Sequence, residues 1–176
     1  MSDDHGETLL WDGLRFSLSA DPHPPFHLDG EIREEDTALL LSAQSEMHSP
    51  LTLLSTEAPV APASLLKPGT ATLRPGTPLQ LLAVIHDLDR EPTWREAWIC
   101  SALRHALRLA EDRRVVSLSI PLLGTAHGRI DVRRALYLTL RTLAKRRSRF
   151  LQRIWLRVAA ANVALAKAEL NERIAK

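Results

Sequence analysis

Cysteine is almost absent from this chain of 176 residues: Cys100 stands alone. That excludes an internal disulfide and a cysteine-rich zinc site, and it fits a reducing compartment. Glycine is scarce too, with seven in all and none between Gly30 and Gly69. No Walker A loop and no complete G-x-G-x-x-G stands anywhere in the chain, and no internal repeat is visible. Lysine supplies only Lys67, Lys145, Lys167 and Lys176 of the 23 basic residues. No apolar run reaches the roughly 18 residues of a membrane span. The start, Met1-Ser-Asp-Asp-His-Gly-Glu7, is acidic where a signal peptide opens basic. The expectation is a soluble, cytoplasmic protein with no membrane partner.

What is present is ordinary globular usage, 45% apolar and 25% charged. At this length about 70% of the unfolded surface is buried on folding, so a single domain over 1–176 holds its core without staples. Charge is spread unevenly. Residues 1–36 hold ten Asp/Glu against two Arg, and residues 129–176 hold thirteen Lys/Arg against three Asp/Glu. This predicts attraction between two parts of the fold, or an anionic ligand near the C-terminal half. Most of the arginines are read as solvated helix faces.

Along the chain, Asp12-Gly13 between apolar flanks predicts a hairpin over 9–18 with a type I′ turn. With the Pro-rich loop after it, this hairpin reads as an extension covering 1–25. The apolar run over 37–43, after the acidic residues Glu34, Glu35 and Asp36, has the length of a buried strand, and in those acidic surroundings Glu31 reads as a solvated turn carboxylate. Residues 45–77 are rich in Pro, Ser and Thr, with a strand near 71–73. Further strands are predicted at 79–85, 115–120 and 150–158. Between them, Thr93 and Glu96 form a capping box for a helix running to Arg113-Arg114. Trp94, Trp98 and Cys100 read as buried on it. Asp131 caps a helix to about Ser148, and Asn162 caps a last one over 163–175. Alternating buried strands and helices imply a mostly parallel sheet covered on both faces. Ligands of such sheets sit at the carboxyl ends of strands, which singles out the loop 121–130.

That loop reads Pro121-Leu-Leu-Gly124-Thr125-Ala126-His127-Gly128-Arg129. With Val84-Ile85-His86 ending one strand and Ser117-Leu-Ser-Ile-Pro121 forming the next, the order of elements resembles the macro domain family of ADP-ribose-binding modules. The resemblance is best over 70–176. It implies a three-layer α/β/α fold with a mixed, mostly parallel central sheet and the N-terminal hairpin. It also implies that Pro121, Leu123, Gly124, Thr125, Ala126, His127, Gly128 and Arg129 hold a diphosphate. Ala126 stands where the family has its second loop glycine, and Gly128 comes one residue before the third. Gly30-Glu31-Ile32-Arg33 is similar to the family's Gly-Asp-Ile-Thr turn, which places Glu31 and Ile32 near the adenine. Residues 37–44 are similar to the family's Asp-Ala-Ile-Val-Asn-Ala-Ala-Asn, which places Gln44 near the distal ribose. The family's Gly-Gly-Gly-Val loop has no counterpart in Ser45-Glu-Met-His-Ser-Pro50.

The resemblance implies ADP-ribose or a related nucleotide as ligand, with no catalytic residue, no cofactor and no metal. His23, His27, Glu46 and His48 lack metal-ligand spacing. His86 reads as structural, and His127 and Arg129 as loop cations able to meet phosphate. One alternative is an ADP-ribosyl hydrolase with a rebuilt distal site using Glu46 or His48. The other is a ligand-less scaffold that binds nucleic acid or protein through the basic run Lys145-Arg-Arg-Ser-Arg149.

Overall fold

The computed structural model describes residues 8–20, 22, 24–41 and 65–174. The hairpin forms as expected from β1 (Thr8–Trp11) and β2 (Leu14–Ser19), with Asp12 and Gly13 at φ 48° and 76°, the sign a type I′ turn demands. Strand β2 then pairs in parallel with β7 (Arg153–Arg157) and buries Leu14, Phe16 and Leu18. The hairpin is therefore built into the sheet. The remaining strands are β3 (Gly30–Asp36), β4 (Thr70–Arg74), β5 (Leu79–His86) and β6 (Ser117–Pro121). All seven join in the order β1-β2-β7-β6-β3-β5-β4. The five inner strands run parallel, and β1 and β4 close the edges antiparallel.

The buried strand expected over 37–43 is instead β3, at Gly30–Asp36. Asp36 of that acidic stretch is satisfied inside the fold. Asp36 is fully buried, and its carboxylate accepts the N–H groups of Ala38 (2.6 Å), Leu40 and Leu41 (both 3.0 Å). These bonds turn the chain out of the sheet through Leu39, at φ 57°. Just before β3, Asp29 accepts from the N–H of Val116 (3.0 Å) and from the N–H and hydroxyl of Ser117 (both 2.9 Å). Burial by itself raises the Asp29 pKa. The Ser117 hydroxyl, the N–H groups of Ser117 and Val116, and nearby His27 outweigh it and hold the carboxyl below its ordinary value.

Helix α1 (Glu96–Asp112) lays Ile99, Ala102, Leu103, Ala106 and Ala110 on the sheet. The expected capping box does not form. Arg95 is the N-cap, without a side-chain bond, and Glu96 is drawn to Arg134 by two bonds of 2.7 Å. Trp94, Trp98 and Cys100 are half-buried rather than core residues. Helix α2 (Val132–Leu143) is capped by Asp131, which accepts the Arg134 N–H at 3.2 Å. It stops five residues short of Ser148, because Arg146 folds back to donate to the Leu143 carbonyl at 3.0 Å. A 3-10 turn (Ala160–Asn162) leads into α3 (Val163–Ile174), so Asn162 lies within that turn.

All three helices share one core with Phe16, Ile32, Leu81, Leu118 and Ile154 of the sheet. The alternate positions Ser17, Glu35, Leu82, Ser119 and Trp155 are buried on the other face. The architecture is a macro-domain-like α/β/α arrangement around a mixed, mostly parallel sheet. No helix among the described residues is long and apolar enough to cross a membrane.

Candidate ligand-binding site

Strands β2, β3, β6 and β7 all end on one side of the sheet. A cavity of about 470 Å³ lies there, lined by Ala20, Arg33, Glu34, Leu41, Pro121, Leu122, Thr125 to His127 and Arg157 to Ala160, with Asn162. The parallel topology dictates this position, because connections leave a depression where strand ends splay apart.

Of the residues singled out in the sequence, Pro121, Thr125, Ala126 and His127 line the cavity. Leu123 is buried in the core beneath it. Gly124 lies at φ +85°, and a Cβ there would come within 2.4 Å of Ile130 Cδ1. A Cβ on Gly128 would come within 2.8 Å of the Gly124 carbonyl and 3.0 Å of the Trp94 ring. The two glycines are thus required by the shape of the loop itself. Arg129 is exposed and at φ 56°, outside the cavity lining. Ile32 is fully buried in β3, and Glu31, itself outside the lining, pairs with two residues that line the cavity, Arg33 (2.8 Å) and Arg157 (3.9 Å). Gln44, Glu46 and His48 lie outside the described residues.

The sequence reading missed the centre of the site. The Glu34 carboxylate lines the cavity and is 9% exposed. Its Oε2 accepts the Gly124 N–H at 2.8 Å, and its Oε1 lies 2.5 Å from His86 Nε2. A carboxylate only accepts, so Nε2 carries the proton. A bulge makes the contact: Glu35 pairs with Val84 but Asp36 pairs with His86, so β5 carries one extra residue there. The His127 ring stands edge-on to His86 at 6.1 Å. Arg33 and Arg157 bring positive charge to the same cavity. Arg157 lies over the Trp155 ring and donates to the Ile32 carbonyl at 3.2 Å. β3 reads Gly-Glu-Ile-Arg-Glu-Glu-Asp, so no local pattern in it announces the pair with His86.

The loop keeps donors in reserve. The Thr125 N–H bonds the Leu122 carbonyl at 3.2 Å and the Ile130 N–H bonds the Gly124 carbonyl at 3.0 Å. The N–H groups of Ala126, His127 and Gly128 have no partner among the described residues. Backbone donors beside a cavity with two guanidinium groups suit an anion.

No protein-family model and no curated protein matches this chain. Solved structures do. The Oceanobacillus iheyensis macrodomain with ADP is 13% identical, with 97% of each chain covered and a TM-score of 0.68. A mutant form of that macrodomain with ADPR gives a TM-score of 0.69 at 13% identity, covering 97% of this chain and 100% of the other. The Trypanosoma brucei macrodomain in complex with ADP is 15% identical, covering 88% of this chain and 68% of the other, with a TM-score of 0.63. At these identities the likeness is one of architecture, and this chain has the macrodomain fold.

Proposed function

We propose that the chain binds ADP-ribose or a related nucleotide diphosphate in this cavity, as a binding module without catalysis. The observation that carries the reading is the loop after β6, where the N–H groups of Ala126, His127 and Gly128 have no partner among the described residues and the first two residues line the cavity. Arg33 and Arg157 add cations at the other wall. The structural neighbours with ADP or ADPR bound support the same ligand class. Recognition rests on backbone donors and guanidinium groups, with no cofactor or metal invoked.

Calorimetric titration with ADP-ribose tests this, with AMP and NAD as controls. Ala126 is exposed on the cavity wall, so Ala126→Glu adds an opposing charge and spares the core. Saturable binding lost in that variant is the expected result. No heat with the unaltered chain overturns the reading.

One observation favours a second reading, an ADP-ribosyl hydrolase. Glu34 faces the cavity and is held by a histidine, the arrangement that lets a carboxylate orient a water and take its proton. Release of ADP-ribose from a modified protein, abolished by Glu34→Gln with binding retained, would establish it. No release leaves the binding module.

A further inference from the structure

Away from this cavity, α1 and α2 pack side by side. Two depressions of about 290 and 330 Å³ lie along their shared surface, with Arg104, Thr142 and Lys145 common to both. They form one continuous groove. Arg104 and Arg108 stand one turn apart on α1, and Arg141 and Lys145 repeat that spacing on α2 and the turn after it. Arg147 closes the far end. None of these five cations has an ion-pair or hydrogen-bond partner among the described residues. Glu96 is paired with Arg134, and Glu111, held by the neutral Ser148 hydroxyl and Arg149 N–H, keeps its charge with Asp112, so the five cations outnumber the two uncompensated carboxylates of the lining.

Unbalanced like charge gathered in a concave surface is a site for a polyanion. The chemistry of the lining says which one. Four of the five cations are arginines, whose planar fork matches phosphate oxygens in pairs. The lining contains no aromatic ring on which an unpaired base could stack, and no Asn or Gln to read a base edge. A partner that presents phosphates outward with its bases stacked inside satisfies both facts. We propose that this groove binds duplex nucleic acid through its phosphate backbone, without reading sequence. The groove draws on α1 as much as on the basic run after α2, and it is independent of the nucleotide cavity.

Fluorescence anisotropy with a labelled mixed-sequence DNA duplex of about 20 base pairs tests this on the full chain. Five phosphate contacts predict a log–log salt slope near −4.5, or a loss of about 500-fold between about 50 and 200 mM salt. The double variant Arg104→Glu/Lys145→Glu should bind at least roughly tenfold more weakly at low salt, with the slope reduced to about −2.7. Lys67→Glu, an exposed lysine outside the groove, should bind as the parent does. Circular dichroism confirms that each variant is folded. Three results overturn the proposal. They are no saturable binding at low salt, equal weakening by Lys67→Glu, and displacement of the duplex by polyglutamate at equal charge concentration, which would make the groove a docking site for acidic peptide.

Discussion

The backbone N–H of Gly124 donates to Glu34 Oε2 at 2.8 Å, joining residues 90 positions apart. The loop that faces the cavity therefore already holds an internal anion. His86 grips the other oxygen of that carboxylate, so it is fixed in place. A diphosphate entering the cavity meets this charge. A unit charge roughly 8 Å away, at an effective dielectric near 20, costs about 2 kcal/mol. Glu34→Gln removes the charge and keeps an acceptor for Gly124, while His86 accommodates the amide by changing tautomer. We expect ADP-ribose to bind roughly thirtyfold more tightly to this variant in calorimetry. The thermal midpoint should fall, since a buried charge-assisted bond contributes about 1.5–3 kcal/mol. Weaker binding would mean that the carboxylate holds the loop open for ligand.

Gly124 tests the loop geometry separately from binding. Its φ of +85° strains any L side chain, and an added Cβ would sit 2.4 Å from Ile130 Cδ1 and 3.0 Å from Ile99 Cδ1. Backbone strain of about 1 kcal/mol and overpacking of about 1–3 kcal/mol together predict a loss of about 2–4 kcal/mol for Gly124→Ala. Gly13 has similar backbone strain, at φ +76°, but open space around it. Gly13→Ala should cost only about 1 kcal/mol. Ile130→Val removes the nearest clashing atom, so adding it to Gly124→Ala should recover about 1 kcal/mol in a denaturant double-mutant cycle. Additive losses would show that the clash is not with Ile130.

The parts of the fold legible in the sequence are those in which local pattern and burial agree. β5 is largely an apolar run, β6 follows Val115-Val116 and is ended by Pro121, Asp12-Gly13 demands a tight turn, and Asp131 caps α2 as its position predicts. β3 was illegible because its pattern is that of a solvated segment. Glu34 and Asp36 look like surface charges until the residues that satisfy them are known. For Glu34 these are His86 and Gly124, both far away in sequence. For Asp36 they are N–H groups of a turn that exists only because Asp36 makes it. The capping box failed for a related reason: Glu96 had a tertiary partner, Arg134, that no local motif could announce. The same blindness hid the Glu34–His86 pair while the loop 121–130, a strand-to-helix connection, could be read directly.

Acid should destabilise the fold through Asp29. Burial opposes its charge, but the Ser117 hydroxyl and the N–H groups of Ser117 and Val116 more than compensate, and its pKa is lowered in the folded state. The unfolded chain thus binds the proton more readily. Stability from this group is present above the ordinary carboxylate pKa and is lost as pH falls through that value toward the lower folded one. Glu96 is lowered by its bond from Arg134, and Glu111 by its bond from Ser148, so both act with the same sign. Urea unfolding at neutral pH and near pH 3 should show a large drop for the parent chain. Asp29→Asn should start less stable and drop less, because the titrating group is gone. An equal drop in both would show that the acid sensitivity lies in the other carboxylates.

The basic run after α2 divides into structural and free charges, and stability measurements should separate them. Arg146 is 11% exposed. It donates to the Asp12 carbonyl at 2.7 Å, to Asp12 Oδ2 at 3.1 Å and to the Leu143 carbonyl at 3.0 Å. One guanidinium thus clasps the hairpin turn and ends α2, which is the attraction between acidic start and basic end that the charge distribution predicts. Arg147, the next residue, is exposed and has no such bonds among the described residues. Arg146→Ala should cost about 1–3 kcal/mol in chemical denaturation, since it removes three hydrogen bonds made by a largely buried guanidinium. Arg147→Ala should stay within about 0.5 kcal/mol of the parent. Asp12→Asn should cost less than about 1 kcal/mol, because the Asp12 side chain is exposed and the carbonyl contact survives. If Arg146→Ala and Arg147→Ala prove equally mild, the hairpin is held by β2 alone, through its parallel pairing with β7.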